Sequence, residues 1–219
     1  MAIGKFKMPT IPRHFVIGLV LSLSLSFFAA SAFGQTVLSE NFDELTPQLT
    51  ATSVGAFSTI NGTNVDIVGG GLYGSLCVAP ESGNCIDMDG SGGNPQGQLQ
   101  SNSSFAPGTY LLSFDLIGDQ RGSTATVTVS FGNYDQTFTL TSGDDTDGIV
   151  INQAVTVSGS PSNLLFVSDT PGDVGLLLDN ALITSPTPEP GTAILWLTGM
   201  ALVLVMTGKR LRQSLPQAR

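Results

Sequence analysis

Between residues 14 and 208 the chain has one cation, Arg121; the other seven of its eight Lys and Arg side chains lie in the first 13 or the last 11 residues. Residues 35–187 carry sixteen of the seventeen acidic side chains. A surface of that sign has nothing to neutralise phosphates, which excludes nucleic-acid binding by this part of the chain. Histidine is nearly missing too. His14 is the only one, and it lies in a segment read below as removed on export. The remainder lacks an imidazole, which excludes Ser-His-Asp and Cys-His catalysis and the usual His-containing zinc sites. Charged residues make up 11% of the chain and glycine fills 26 positions, a composition that points to a secreted all-β protein and away from a cytosolic enzyme.

Long hydrophobic runs occur only near the ends. Lys5, Lys7 and Arg13 precede the apolar run 15–30, and small residues follow at Ala30, Ala32 and Gly34. A positive flank, an apolar centre and a small-residue end are the parts of a secretory signal peptide, expected over 1–34. Cleavage after Ala32 or Gly34 fits equally well. The second run, 193–207, is uncharged and is followed by Lys209, Arg210, Leu211 and Arg212. With its flanking Gly and Thr residues it reads as one short transmembrane helix over 192–208, the basic tail 209–219 being cytoplasmic. Before it, the prolines of Pro186, Pro188 and Pro190 bias 185–191 to an extended, exposed linker.

Pro188-Glu189-Pro190, a short apolar span, and the cluster Lys209, Arg210 and Arg212 together resemble the PEP-CTERM sorting signal of exopolysaccharide-producing Gram-negative bacteria. The resemblance covers roughly residues 186–212. It implies passage through the Sec export machinery, transient membrane anchoring, and recognition by exosortase, a membrane-embedded cysteine transpeptidase that cuts near the motif. The product would then reside at the cell surface or in the extracellular matrix.

The segment between, 35–184, alternates with period two between turn residues. Strands are predicted over 109–117, 124–131, 136–141, 149–157, 163–168 and 174–183, separated by Gly, Pro, Asn and Asp. That spacing predicts an antiparallel β-sandwich or jelly roll. In 124–131, Ala125, Val127, Val129 and Phe131 take one face, and Thr124, Thr126, Thr128 and Ser130 the other. The run 173–183 is apolar on both faces for part of its length, which predicts a central strand. The two cysteines, Cys77 and Cys85, are even in number in an exported chain and predict a disulfide, worth roughly 2–3 kcal/mol on the chain-entropy account. Arg121 is expected to pair with a nearby carboxylate, Asp119.

The carboxylates fall in three groups. Asp87, Asp89 and Ser91, with Gly92, have the spacing of half a calcium loop, but position 12 is Gln98, so this is not an EF-hand. Asp144, Asp145 and Asp147 read as a solvated acidic turn. The order Glu40-Asn41-Phe42-Asp43, Asp87-Met88-Asp89-Gly90-Ser91, Pro107-Gly108-Thr109-Tyr110 through Phe114-Asp115, and Val174 through Asp179-Asn180 resembles an extracellular module of PEP-CTERM proteins. It is also similar to carbohydrate-binding jelly rolls. That likeness implies a structural Ca²⁺ between first and last strands, held by Glu40, Asp43 and Asp179.

These observations give an expectation of a non-enzymatic surface or matrix module that associates with, or binds, exopolysaccharide. Two alternatives stay open: a small secreted glycan hydrolase with paired carboxylates, or a calcium-stabilised adhesive or ice-binding module. Against the hydrolase, Trp196 lies in the membrane segment, and Tyr73, Tyr110 and Tyr134 offer little aromatic platform. Against ice binding, each outward row holds only three Thr, and Thr is favoured on exposed strand faces in any case.

Overall fold

A computed structural model describes residues 34–78, 83–92 and 96–186, together with 198, 199 and 201. The expected signal peptide (save Gly34), the Pro188-Glu189-Pro190 motif and the tail with Lys209, Arg210 and Arg212 lie outside these residues. Of the apolar segment 192–208, Thr198, Gly199 and Ala201 are described and helical. Among the described residues no helix is long and apolar enough to cross a membrane.

One compact unit spans Gly34–Thr187. Its strands are β1 (Gln35–Glu40), β2 (Gln48–Ala51), β3 (Ser53–Val54), β4 (Phe57–Thr59), β5 (Val65–Val68), β6 (Cys85–Asp87) and β7 (Gln98–Ser101) in the first half. The second half supplies β8 (Gly108–Ile117), β9 (Thr124–Phe131), β10 (Tyr134–Thr141), β11 (Val150–Val157), β12 (Leu165–Ser168) and β13 (Leu177–Ser185). They form two antiparallel sheets. The six-stranded sheet has the order β10-β9-β12-β7-β4-β3, and the seven-stranded sheet the order β11-β8-β13-β6-β5-β2, with β1 also on β13. As the two-faced apolar pattern predicts, β13 is central: it pairs with β8 on one side, and with β6 and then β1 on the other.

The core lies where the inner faces meet. Ala125, Val127, Val129 and Phe131 of β9 are all buried in it, and the intervening Thr residues face out. Phe114 of the seven-stranded sheet meets Phe166 and Phe138 of the other sheet edge-on, with ring centroids 5.4 and 5.7 Å apart. This arrangement suits the ring quadrupoles and fills the space between sheets. At one end Phe105, Tyr110 and Phe131 form a second ring cluster.

A smaller apolar cluster covers part of the opposite, outward face of the seven-stranded sheet. Val68, Cys85, Ile117 and Leu177 gather there under Leu76, and Cys77 and Val78 pack against them. Strands β5 and β6 are therefore buried at every position. Both faces of these two strands are covered, and neither is among the strands predicted from the sequence.

Phe114→Ala or Phe166→Ala is expected to cost about 3–5 kcal/mol, because each empties a shared inter-sheet site. Urea unfolding with an unchanged m-value would show it; a loss under about 1 kcal/mol would mean the sheets do not meet at these rings.

Candidate functional site

The outward face of the seven-stranded sheet concentrates the ionisable groups. In register, Asp66 of β5 lies opposite Asp87 of β6, and Asp115 of β8 opposite Asp179 of β13. Like charges in such positions repel, so donors must hold them. Asp66 is buried and accepts the N–H of Thr50 at 2.7 Å, and the N–H and hydroxyl of Ser91 at 3.0 and 2.5 Å. Asp115 accepts the Asn180 side-chain amide at 2.9 Å.

Asp87 holds the ion pair. Arg121 reaches it from the β8–β9 loop with Nη2 2.5 Å from Oδ2, while Oδ1 accepts the N–H groups of Gly175 (2.9 Å) and Asp89 (3.2 Å). The expected partner, Asp119, does a different job. Its carboxylate accepts the N–H groups of Arg121, Gly122 and Ser123 and the Ser123 hydroxyl, closing the loop that aims the guanidinium. A local search from Arg121 finds Asp119 first, whereas the true partner lies 34 residues back across the sheet. The available signal was Ile86-Asp87-Met88-Asp89, whose apolar members are buried in the core and whose aspartates therefore share the other face.

Burial pushes the Asp87 carboxyl up to about 7, against the pull of Arg121 and the N–H groups of Asp89 and Gly175. Burial also pushes Asp89 up to about 6, the nearby Ser168 hydroxyl and the Gly97 N–H bringing it only part of the way back. Oδ1 of Asp89 receives a long bond from Gly97 (3.4 Å), and Oδ2 has no hydrogen-bond partner among the described residues. For Asp119, burial is outweighed by the hydroxyls of Ser123 and Ser142 and by backbone N–H groups, which hold it below the ordinary carboxylate range.

The carboxylates expected to bind calcium do not converge. Glu40 accepts the N–H groups of Phe42 (3.0 Å) and Ala56 (2.7 Å). Gly55, at φ 60°, leaves room for it: a Cβ there would lie 1.9 Å from Glu40 Oε2. Asp43 accepts the Asn84 N–H at 3.0 Å and the Asn41 amide at 2.9 Å. Asp179 is buried and accepts the Asn180 N–H at 2.7 Å. Among the described residues no group of three or more His, Cys, Asp or Glu side chains is placed to hold a metal ion. Glu40, Asp43 and Asp179 each accept backbone N–H groups. Ser91, in the half calcium loop, instead donates its N–H and hydroxyl to Asp66. In the acidic turn, Asp144 accepts the N–H groups of Thr146 and Asp147, and Asp145 accepts the Gln120 amide.

A half-open cavity of about 160 Å³ lies at the β1–β13 junction, lined by Ser39, Glu40, Asn41, Asn180, Ala181 and Leu182. On the outward face of the six-stranded sheet the Thr rows of β9 and β10 meet in register. Thr126 bonds Thr139 at 3.0 Å and Thr128 bonds Thr137 at 2.8 Å, so these hydroxyls tie strand to strand. The expected disulfide joins Cys77 to Cys85.

No family model matches the chain, and no curated protein matches it. Among solved structures it is similar to the K2 cleaved adhesin domain of Lys-gingipain, at 16% identity and a TM-score of 0.41 over 68% of this chain and 97% of that one. The second N-terminal cellulose-binding domain of Cellulomonas fimi β-1,4-glucanase C overlaps at 16% identity and a TM-score of 0.34, over 73% of this chain and 100% of that one. A family 29 carbohydrate-binding module variant overlaps at 16% identity and a TM-score of 0.31, over 64% and 91%.

Because Asp87 and Asp89 bind protons more tightly folded than unfolded, their favourable contribution is complete below the ordinary carboxylate range and is lost as pH rises through about 6–7. The melting temperature should fall between about pH 4 and pH 7. Asp89→Asn, which removes the unpartnered charge, should flatten that slope and raise Tm at pH 8 by roughly 3 °C. A slope unchanged by this substitution would show that Asp89 is not a buried charge.

Proposed function

We propose that the protein is an exported, non-enzymatic surface module, sorted by exosortase and working in contact with extracellular polysaccharide. The observation that carries this reading is the internal use of its ionisable groups. Asp66, Asp87, Asp119, Glu40 and Asp43 each hold loop N–H groups, and Arg121 is held by Asp87. Glycoside hydrolysis needs two carboxylates flanking a cleft; the cavity at the β1–β13 junction has one, Glu40, with both oxygens already bonded to backbone.

The Cys77–Cys85 disulfide supports residence in an oxidising compartment. Export through Sec, with residues 1–34 as signal peptide, accounts for that. The order of Pro188-Glu189-Pro190, apolar segment and Lys209, Arg210 and Arg212 supports delivery by exosortase, which would leave the sandwich at the surface or in the matrix of a Gram-negative cell.

Intact mass of the protein from the envelope and medium of an exosortase-bearing host tests this reading. The expected masses show loss of the N-terminus near Ala32 or Gly34, an oxidised cysteine pair, and a cut near Pro188-Glu189-Pro190 that Glu189→Ala reduces at least tenfold. A full-length, reduced chain in the cytosol, or release of reducing ends from polysaccharide, would contradict it.

A further inference from the structure

Ten aromatic side chains lie among the described residues, and nine are buried or half-buried. The exception is Tyr73, 52% exposed. It sits in the segment Gly69-Gly70-Gly71-Leu72-Tyr73-Gly74 at φ 53°, a left-handed conformation that disfavours a residue with Cβ. The fold holds it there. Gly69 and Leu72 exchange both backbone hydrogen bonds (2.8 and 2.9 Å), and Leu76 N–H bonds the Tyr73 carbonyl at 2.9 Å. Leu76 is buried in the outward apolar cluster, and the next residue, Cys77, is tied to Cys85 on β6. Gly74 packs so closely that a Cβ there would lie 2.3 Å from the Gly70 carbonyl. An exposed aromatic residue thus sits on a loop whose backbone is braced, at a cost in backbone strain.

Gly71 adds an independent observation. Its φ is not positive, and a Cβ there would meet nothing within 4 Å. Neither conformation nor packing requires glycine at this position. Its lack of a side chain leaves open space two residues before Tyr73.

We infer that Tyr73 is the stacking platform of a binding site for uncharged polysaccharide, approached across Gly71. This rests on the polysaccharide reading above and names the ligand class. The aliphatic C–H face of a pyranose suits an exposed aromatic ring, and a braced backbone loses little further entropy on binding. Charge selects among polysaccharides. Residues 35–187 carry sixteen carboxylates, and their one cation is already bound to Asp87, so polymers bearing uronate, sulfate or phosphate are repelled.

The test uses the detergent-solubilised full chain and beads carrying mixed-linkage β-glucan, xylan, galactomannan or dextran, with alginate and polygalacturonate as acidic counterparts. The expected result is retention on at least one uncharged polymer and none on the acidic ones. Tyr73→Ala and Gly71→Gln should each weaken retention about tenfold, and Tyr73→Phe should preserve it. Thermal melts should show Gly71→Gln folded as the parent. Equal retention of the parent and both weakening variants would overturn the platform and leave the polysaccharide reading intact. Retention on acidic polymers alone would overturn the ligand class. Retention on none would overturn this inference, while the mass measurement above judges export and sorting separately.

Discussion

The structure depends on one constraint: an anionic domain that buries carboxylates must do so with almost no cations. Asp66, Asp87, Asp89, Asp119 and Asp179 are each only 1% exposed, and the described residues form a single salt bridge. The backbone supplies what cationic side chains do not. Thr50, Ser91, Gly175, Arg121, Gly122 and Ser123 turn their N–H groups onto buried carboxylates. Charge-assisted bonds of this kind are about twice as strong as neutral ones. Asp66, Asp87 and Asp119 each hold N–H groups of neighbouring loops in this way.

The same face explains how the sandwich carries structure outside its main core. Covering the outward side of β5, β6, β8 and β13, the second apolar cluster gives the 69–78 segment something to pack on. The Cys77–Cys85 link secures that cover to the sheet. The opposite sheet differs: its outer surface is a hydroxyl ladder whose members bond one another across β9 and β10. One sheet is armoured and shaped by loops, and the other is a plain polar surface.

Much of the second half was legible in the sequence because β9 and β10 have one wet face, so Thr alternates with Val, Phe and Leu. Central β13 was legible from the loss of that alternation. In the first half the signal fails for two physical reasons: β3 and β4 have two and three residues, and β5 and β6 are buried on both sides. The disulfide followed from compartment and count. Glu40, Asp43 and Asp179 entered through the resemblance to carbohydrate-binding jelly rolls, and which N–H groups they meet depends on loop paths that sequence spacing does not encode. Arg121 shows the same limit, since Asp119 is near in sequence and Asp87 is near in space.

The most direct test of this account is a double-mutant cycle on Arg121 and Asp87, read by denaturant unfolding. Arg121→Met alone leaves a buried carboxylate without its cation and should cost about 1–2 kcal/mol at pH 8, where a carboxyl held at about 7 is ionised. Adding Asp87→Asn should recover most of that loss. If Arg121→Met leaves stability unchanged, or the two effects simply add, the ion pair does not hold this end of the sandwich and the central claim fails.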